Sequence, residues 1–566
     1  MLVQCDRLKF RYQRHLASGI VCVGASDGTS QPRVTNSRRL SSHTRVAHKY
    51  FNFRAWISRV ALTSILVGVA AWSAPAFVAA AQSDRSVQYS YPIVDTGQVR
   101  CYNDRHEIHY PARGEPFFGQ DAQYRGLQPS YRDNGDGTVS DLTTGLMWQQ
   151  DPGSKMSWRQ AMAGASRCRL GGHHDWRLPT VKELYSLILF SGTDPDPGTT
   201  SDRGQRPFID TDYFRFAYGD PSKGERLIDA QFATSTKYVS TTMVGDATMF
   251  GVNFADGRIK GYPIIDPRSR RDKTFFVLYV RGNPAYGAND FHDNGDGTIT
   301  DRATGLTWAQ LDSGHLRAGE KRDGRLNWQQ ALEWVEELKY AGHDDWRLPN
   351  AKELQSIVDY SRSPDTTRSP AIAPIFKVST ITRGDGRRGF PCYWSGTTHA
   401  TTGQATAAAY VAFGESLGWM QDPRTRGYRL LDVHGAGSQR SDPKSGDPSR
   451  YPRGRGPQGD VIYIDNFVRP VRGGQAALVQ QGPALEMPVA RIPSGPRTQS
   501  RQPAQPRGDR RGHFTRRFDR DGDGRVSPAE FPGPGHHFQR FDRNRDGYLS
   551  DAEAPPPPPQ RRPQPR

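Results

Sequence analysis

One unit is written twice in this chain. Asp133-Asn134-Gly135-Asp136-Gly137-Thr138 recurs as Asp293-Asn294-Gly295-Asp296-Gly297-Thr298. Asp175-Trp176-Arg177-Leu178-Pro179 recurs as Asp345-Trp346-Arg347-Leu348-Pro349, and Lys182-Glu183-Leu184 returns as Lys352-Glu353-Leu354. The period is 160 to 170 residues. Solenoid repeats run only to about 20–50 residues, so these are two tandem copies of a full-sized domain. Any function of the body is carried twice or kept by one copy.

The net charge of +17 over 566 residues invites a nucleic-acid reading, but the charge sits at the ends. Residues 1–81 hold 11 Lys/Arg against 2 Asp/Glu, and residues 491–566 hold 16 against 9. The body is left with 49 against 48. A neutral body gives no field to attract a polyanion over its whole surface, so nucleic acid is not an expected partner.

Residues 54–81 read as a signal peptide. Arg54 and Arg59 precede an apolar run from Val60 to Ala81, and Ala79-Ala80-Ala81 offers a cleavage site before Gln82. The alternative is an uncleaved membrane anchor, since about 20 apolar residues span a bilayer. Pro75 and the small-residue tail favour cleavage. Residues 1–53 are basic and patternless, and translation is expected to start near Val46. The expected location is therefore outside the cytoplasm, in the periplasm, at the cell surface or secreted. Beyond the signal the chain keeps Cys101, Cys168 and Cys392. Three thiols allow one internal disulfide, and Cys101–Cys168 is the expected pair because both belong to the first half.

Residues 82–132 form a lead-in whose short strands are expected to pack on the first copy. Copy one spans 133–282 and copy two 293–473. Each opens with an Asn-Gly/Asp-Gly hairpin signal followed by an alternating strand. Ser157-x-x-Gln160 and Asn327-x-x-Gln330 predict capped helix starts, with Gly171-Gly172 and Gly342 as stops. Thr180-x-x-Glu183 and Asn350-x-x-Glu353 predict a second capped helix in each copy. Gly251-Val252-Asn253-Phe254 and Tyr410-Val411-Ala412-Phe413 read as strands. The Gly414–Gly459 stretch of copy two reads as a long loop, the kind that is functional or structureless. A disordered Pro/Arg-rich linker is expected over 474–512, and with a proline tail over 555–566 it encloses the last module, 513–554.

That module carries explicit chemistry. Its loops run Asp519-Arg520-Asp521-Gly522-Asp523-Gly524-Arg525-Val526-Ser527-Pro528-Ala529-Glu530 and Asp542-Arg543-Asn544-Arg545-Asp546-Gly547-Tyr548-Leu549-Ser550-Asp551-Ala552-Glu553. Both fit the EF-hand register. Asp519, Asp521 and Asp523, and in the second loop Asp542, Asn544 and Asp546, supply oxygens at positions 1, 3 and 5. Glycine makes the sharp turn at position 6. Arg525 and Tyr548 donate main-chain carbonyls, and Glu530 and Glu553 close the cage bidentately. An all-oxygen set selects a hard cation, Ca2+. Val526 and Leu549 at position 8 are apolar, as needed to pair the two loops. The short connection between the loops and the prolines after them predict a compact extracellular module of weak affinity, which stabilises locally or docks a protein partner.

The motif order of each copy, from Asp-Asn-Gly-Asp-Gly-Thr through Thr-Gly-Leu-x-Trp and Trp-x-x-Ala to Asp-Trp-Arg-Leu-Pro-x-x-Lys-Glu-Leu, resembles the bacterial Lcl C-terminal domain family, named for a collagen-like adhesin. Copy two adds Tyr393-Trp394-Ser395-Gly396-Thr397-Thr398 and a closing Val468-Arg469-Pro470-Val471-Arg472; copy one has Phe232-Ala233-Thr234-Ser235-Thr236 in place of the former. The resemblance implies an α+β fold of two tandem C-type-lectin-like domains, with the EF-hand module beside them. It also implies export, and binding of sulfated glycans as in the namesake. The family often ends Val-Arg-Cys-Val-Arg and pairs that Cys with one on the first helix. Tyr279 and Pro470 hold that position here, so the disulfide implied by the family is absent from both copies.

Trp176-Arg177 and Trp346-Arg347 are expected in the core, with each Arg paired to Glu183 or Glu353, rather than as a sugar platform. No His-Glu-x-x-His or P-loop string occurs. His173, His174 and His343 read as surface-turn residues and His434 as isolated. The expected function is non-catalytic binding of glycans or another extracellular polymer. The alternative is an extracellular enzyme acting on carbohydrate or lipid through the long loop of copy two, with His434 essential.

Overall fold

The computed structural model describes residues 89–482, except 244 and 423, and residues 525–528, 530, 531, 538, 541–543 and 547–550. The expected extension, signal segment and proline tail, and most of the linker, lie outside the described residues. Among the described residues no helix is long and apolar enough to cross a membrane.

Each copy builds the same three parts. In copy one, β1 (Tyr131–Asp133), β2 (Thr138–Asp141) and β3 (Met147–Gln149) form a meander. Its first turn is locked by Asp133 Oδ1 on Gly135 N (2.8 Å) and Asp136 Oδ1 on Thr138 N (3.0 Å), with Gly135 and Gly137 at positive φ. Helices α1 (Trp158–Ala165) and α2 (Val181–Tyr185) follow, each started by a complete capping box, on Ser157/Gln160 and Thr180/Glu183. Strands β4 (Gln231–Thr242), β5 (Asp246–Asn253) and β6 (Arg258–Pro263) make a second sheet, and β7 (Val280–Arg281) closes the first. Copy two repeats the plan with β8 (Phe291–Asp293), β9 (Thr298–Asp301), β10 (Leu306–Ala309), α3 (Trp328–Glu336) and α4 (Ala351–Ser356). Strands β11 (Cys392–Thr401), β12 (Gln404–Ala412), the hairpin β13 (Leu417–Gln421) and β14 (Tyr428–Asp432), β15 (Gln439–Pro443) and the closing β16 (Val471–Gly473) complete it. Asn327/Gln330 and Asn350/Glu353 box its helices. Strands outnumber the few short helices, a mostly-β form of α+β. Helices α1 and α3 end before the predicted glycine stops; Gly171, Gly172 and Gly342 instead turn the chain beyond them at positive φ.

The copies do not stand apart. Their second sheets merge into one of six strands, ordered β11-β12-β15-β6-β5-β4. The seam is the antiparallel pair Ile259↔Gln439. Within its own copy Ile259 faces Val252, and Gln439 faces Val411. These are equivalent places, so a pseudo-two-fold axis passes through the seam. One core cluster joins Leu184, Ile188, Phe250 and Val252 to Leu354, Ile357, Val411 and Phe413. On the same axis α2 meets α4, and two lysines cross. Lys182 Nζ donates to Ser356 O (2.6 Å), while Lys352 Nζ donates to Ser186 O (2.8 Å). Each ammonium thus caps the C-terminal turn of the opposite helix.

The Trp-Arg motif lies in the core as expected. Trp176 and Trp346 are buried and donate to Leu170 O and Tyr340 O, both at 3.1 Å. Arg347 pairs with both carboxylate oxygens of Glu353 at 2.7 Å, and Arg177 pairs with Glu183. Tyr279, in the position of the family's cysteine, sends its hydroxyl to Ala161 O on α1 (2.9 Å) and ties the closing run to the helix without a disulfide.

Two expectations are corrected. The lead-in forms short strands, but from residue 100 onward it packs chiefly on copy two. Asp121 accepts from Thr397 Oγ1 at 2.6 Å, Tyr124 donates to Glu336 at 2.6 Å, and Lys444 Nζ donates to Asn103 O at 2.9 Å. The expected Cys101–Cys168 disulfide is consequently absent, and Cys101, Cys168 and Cys392 are all free thiols. Cys101 is held against copy two, whereas Cys168 lies beyond α1 of copy one.

A shared sheet and core predict one cooperative unfolding transition for the body. Scanning calorimetry should show both copies melting together, and a Val411→Ala change in copy two should shift that whole transition down by several degrees. A second prediction concerns Asp432 on β14, whose Oδ2 accepts from Tyr238 of copy one at 2.8 Å. Burial pushes its carboxyl up to about 7, against the hydrogen bonds from Tyr238 and Gly435 that favour the anion. A folded value above the unfolded one gives stability that is full below the ordinary carboxylate range and is lost as pH rises through about 7. Asp432→Asn should therefore raise the melting temperature at pH 8 and leave it nearly unchanged at pH 4.

Candidate functional site

The EF-hand loops are described in part. Val526 and Leu549 exchange both main-chain hydrogen bonds, at 2.9 and 2.8 Å, and are fully buried. They pack with Phe538 and with the flanking Phe531 and Phe541. This is the short β contact that the apolar eighth positions predict. Gly547 takes φ +85° at the sharp turn, and its N–H donates to Asp542 Oδ2 (3.1 Å). Asp542 Oδ1 is buried with no hydrogen-bond partner among the described residues. An open carboxylate oxygen at the first position of loop two fits a hard divalent ion, which the EF-hand register places there. Glu530 is buried and accepts from Ser527 N (2.9 Å) and Oγ (2.8 Å), and the Arg525 guanidinium lies 5.7 Å over the Tyr548 ring. Asp519, Asp521, Asp523, Asn544, Asp546 and Glu553 lie outside the described residues. Among the described residues no cluster of three or more metal-ligating side chains occurs.

The second site lies in the Gly414–Gly459 stretch, which is structured. Copy one joins β5 to β6 with residues 254–257, whereas copy two uses 413–438 between β12 and β15 and adds the hairpin β13–β14. The turn after Tyr451 docks on β13 through Trp419 N to Gly459 O (2.8 Å). This brings the Arg453 guanidinium over two rings, 4.6 Å from Tyr428 and 5.6 Å from Trp419. Arg455 stacks on Tyr451, and Arg424, Arg426 and Arg429 project from the hairpin, all exposed. Arg426 sits in the left-handed region at φ +59°, a place that costs an arginine about 1 kcal/mol relative to glycine. The 383–388 turn, which carries exposed Arg387 and Arg388, approaches Trp419 at Gly384.

Buried ion pairs hold this insert. Arg383 bonds Glu415 at 2.5 Å. His434, read from sequence as isolated, is instead built in. Its Nε2 lies 2.8 Å from Asp460 Oδ1 and 2.7 Å from Arg440. Burial first, and then the Arg440 charge, lower its imidazole to about 4. Kept neutral by burial and set between Asp460 and Arg440, the ring is a structural part of the insert.

Sequence reading missed a polar hub in copy two. Asp312 accepts from Ser379 Oγ (2.6 Å), Ser379 N (2.7 Å) and Tyr393 OH (2.7 Å), with Arg469 3.7 Å away and His315 Nδ1 2.8 Å away. Burial would raise this carboxyl, but the His315 contact, the Arg469 charge and the Ser379 bonds hold it below the usual range. Although Ser, His and Asp meet here, Ser379 Oγ (3.0 Å) and Asp312 both contact the same imidazole nitrogen. A nucleophile relay needs one partner on each nitrogen. The signal for this hub was spacing: Trp148 to Trp158 is 10 residues, and Trp308 to Trp328 is 20. Of the other histidines, His173 and His343 lie edge-on to Trp176 and Trp346, while the adjacent Asp175 and Asp345 are taken by Arg281 (2.7 Å) and Arg472 (2.6 Å).

The Lcl C-terminal domain family matches residues 137–281 and 297–431, and the EF hand matches 516–531 and 536–553. The second Lcl match stops at β14, inside the insert, whereas copy two continues structurally to β16. No curated protein and no solved structure matches the chain. With two matched copies fused through one sheet and a pair of coupled loops beyond them, this chain contains two Lcl C-terminal domains and carries an EF-hand pair at its C-terminal end.

Proposed function

We propose that this chain is an exported, calcium-binding, non-catalytic binding protein that holds an anionic extracellular polymer, such as a sulfated or uronic glycan, on copy two. The C-type-lectin-like character of the two domains belongs to the same proposal. The observation that carries it is the arginine–aromatic insert. The body is neutral overall, yet the hairpin that copy one lacks carries exposed Arg424, Arg426 and Arg429, and the turn docked on it sets Arg453 over Tyr428 and Trp419 and Arg455 over Tyr451. Guanidinium forks match sulfate and carboxylate bidentately, and an exposed tyrosine ring offers a face to sugar C–H groups. The buried pairs behind the hairpin hold these groups in place before the ligand arrives, which lowers the entropic cost of binding. The enzymatic alternative draws no support from His434, whose Nε2 is already committed to an ion pair.

Two measurements test this reading. On a glycan array and by titration, the wild-type protein should bind sulfated or uronic polymers with a salt-dependent affinity. Arg453→Ala should weaken binding about tenfold or more, the worth of one charge-assisted contact. Arg426→Gly should weaken binding without lowering the melting temperature, because glycine relaxes the backbone there. Equal binding by both variants, preference for RNA, or turnover of a bound polymer would reject the proposal. For calcium, full-chain calorimetry should show binding in the range of about 10⁻⁴–10⁻³ M expected of extracellular modules. Asp519→Ala with Asp542→Ala should abolish the heat.

A further inference from the structure

The crossing lysines are not alike, and the difference is chemical. Lys352 Nζ bonds only main-chain carbonyls, Asp95 O (2.9 Å) and Ser186 O (2.8 Å). Lys182 Nζ bonds Gly287 O (3.0 Å), Ser356 O (2.6 Å) and the side-chain Oδ1 of Asn289 (2.9 Å). The other end of that amide is also held. Asn289 Nδ2 donates to Asp301 Oδ2 (2.9 Å) and lies 3.2 Å from Tyr91 OH. The orientation of the amide is unambiguous, because an ammonium only donates and a carboxylate only accepts. Asp301 is fully buried and further fixed by Asp290 N (2.9 Å), Ala303 N (3.2 Å) and Thr304 Oγ1 (2.9 Å). Buried Tyr91 and Tyr286 shield the group, and Gly287, at φ +84°, brings the main chain against the Lys182 stem.

A desolvated lysine, an amide carbon one bond from its hydrogen-bond partner, and a carboxylate on the leaving nitrogen are the parts of an acyl transfer. We infer that Lys182 and Asn289 become joined by an intramolecular isopeptide bond, with Asp301 as the proton-transfer group. The neutral amine Nζ adds to Cγ of Asn289 and forms the N–C bond. A proton leaves Nζ and passes through Asp301 Oδ2 to Nδ2. The Cγ–Nδ2 bond breaks, and ammonia departs. No oxidant, metal or external cofactor enters the balance. Burial lowers the Lys182 ammonium to about 8, partly offset by Asp301 and Asp359, so a usable fraction is neutral near physiological pH. Copy two supplies an internal control, because Lys352 has no side-chain amide among its partners. The cross-link would tie α2 of copy one to the segment that enters β8 of copy two, across 107 residues.

The test is a peptide map of the full-length protein. The expected result is a linked peptide joining Lys182 to Asn289, short by one ammonia, with trypsin failing to cut at Lys182. Cyclisation of an exposed N-terminal glutamine also releases ammonia, so the site of linkage decides and not the intact mass alone. The linked peptide should persist in Lys352→Met and vanish in Asn289→Ala and Lys182→Arg. Asp301→Asn should leave the two side chains unjoined in protein that still melts cooperatively. Recovery of separate, unmodified Lys182 and Asn289 peptides from folded wild-type protein would overturn the inference, as would a link that survives Asn289→Ala.

Discussion

The pairing of Ile259 with Gln439 is the contact on which the rest of the body depends. A three-stranded sheet in each copy would end in β6 or β15 with unpaired main-chain groups, an edge that invites uncontrolled association. Joining the two edges to each other removes both at once. The pseudo-two-fold this creates brings α2 onto α4, and that contact is what buries Lys182 and Lys352. Taking an ammonium out of water costs several kcal/mol, and each lysine offsets that cost by hydrogen-bonding carbonyls at the end of the other copy's helix. Neither lysine has such partners in an isolated copy. The duplication is therefore a permanent intramolecular dimer, and the Lys-Glu-Leu motif is half of its lock.

This explains what was legible in the sequence and what was not. Local chemistry was legible. All four capping pairs, the Asn-Gly and Asp-Gly turns, the Trp-Arg-Leu-Pro anchor with its glutamate and the pairing of Val526 with Leu549 involve either residues close in sequence or a motif whose register defines its partner. Long-range pairing was not legible. Nothing near Cys101 states that the lead-in crosses to Thr397 and Lys444, and grouping cysteines by halves of the chain therefore chose the wrong neighbours. Nothing near His434 states that Asp460 and Arg440 will enclose it. The Gly414–Gly459 stretch read as a loop because its strands are short and set among turns rich in glycine and arginine; they are stabilised by tertiary pairing rather than by an apolar alternation.

The copies have also diverged in kind. Where copy two has Tyr393 and Arg469, copy one has Phe232 and Leu278, equivalents established by matching contacts. Trp158 donates to Thr234 O as Trp328 does to Ser395 O, and Arg177 bridges Val280 as Arg347 bridges Val471. Pro152 stands where Asp312 does, four residues after the first Trp in each copy. Copy one is thus apolar where copy two builds its hub. A buried carboxylate with four or five partners tolerates little displacement, because each lost bond leaves an uncompensated charge. The hub fixes the 312–326 insert and the run leading to Arg383, and the Arg383–Glu415 pair then passes that rigidity to the hairpin.

That chain of fixed charges bears on why the arginines gather where they do. A flexible basic loop can attract a polyanion but pays in lost freedom for every side chain it orders. Here Arg453 already lies over two rings, and the hairpin beneath it is anchored by a buried network that spans the insert. Copy one, neutral and without the insert, contributes the other half of the sheet and the lysine lock. One copy holds the scaffold closed, and the other carries the surface that faces a ligand.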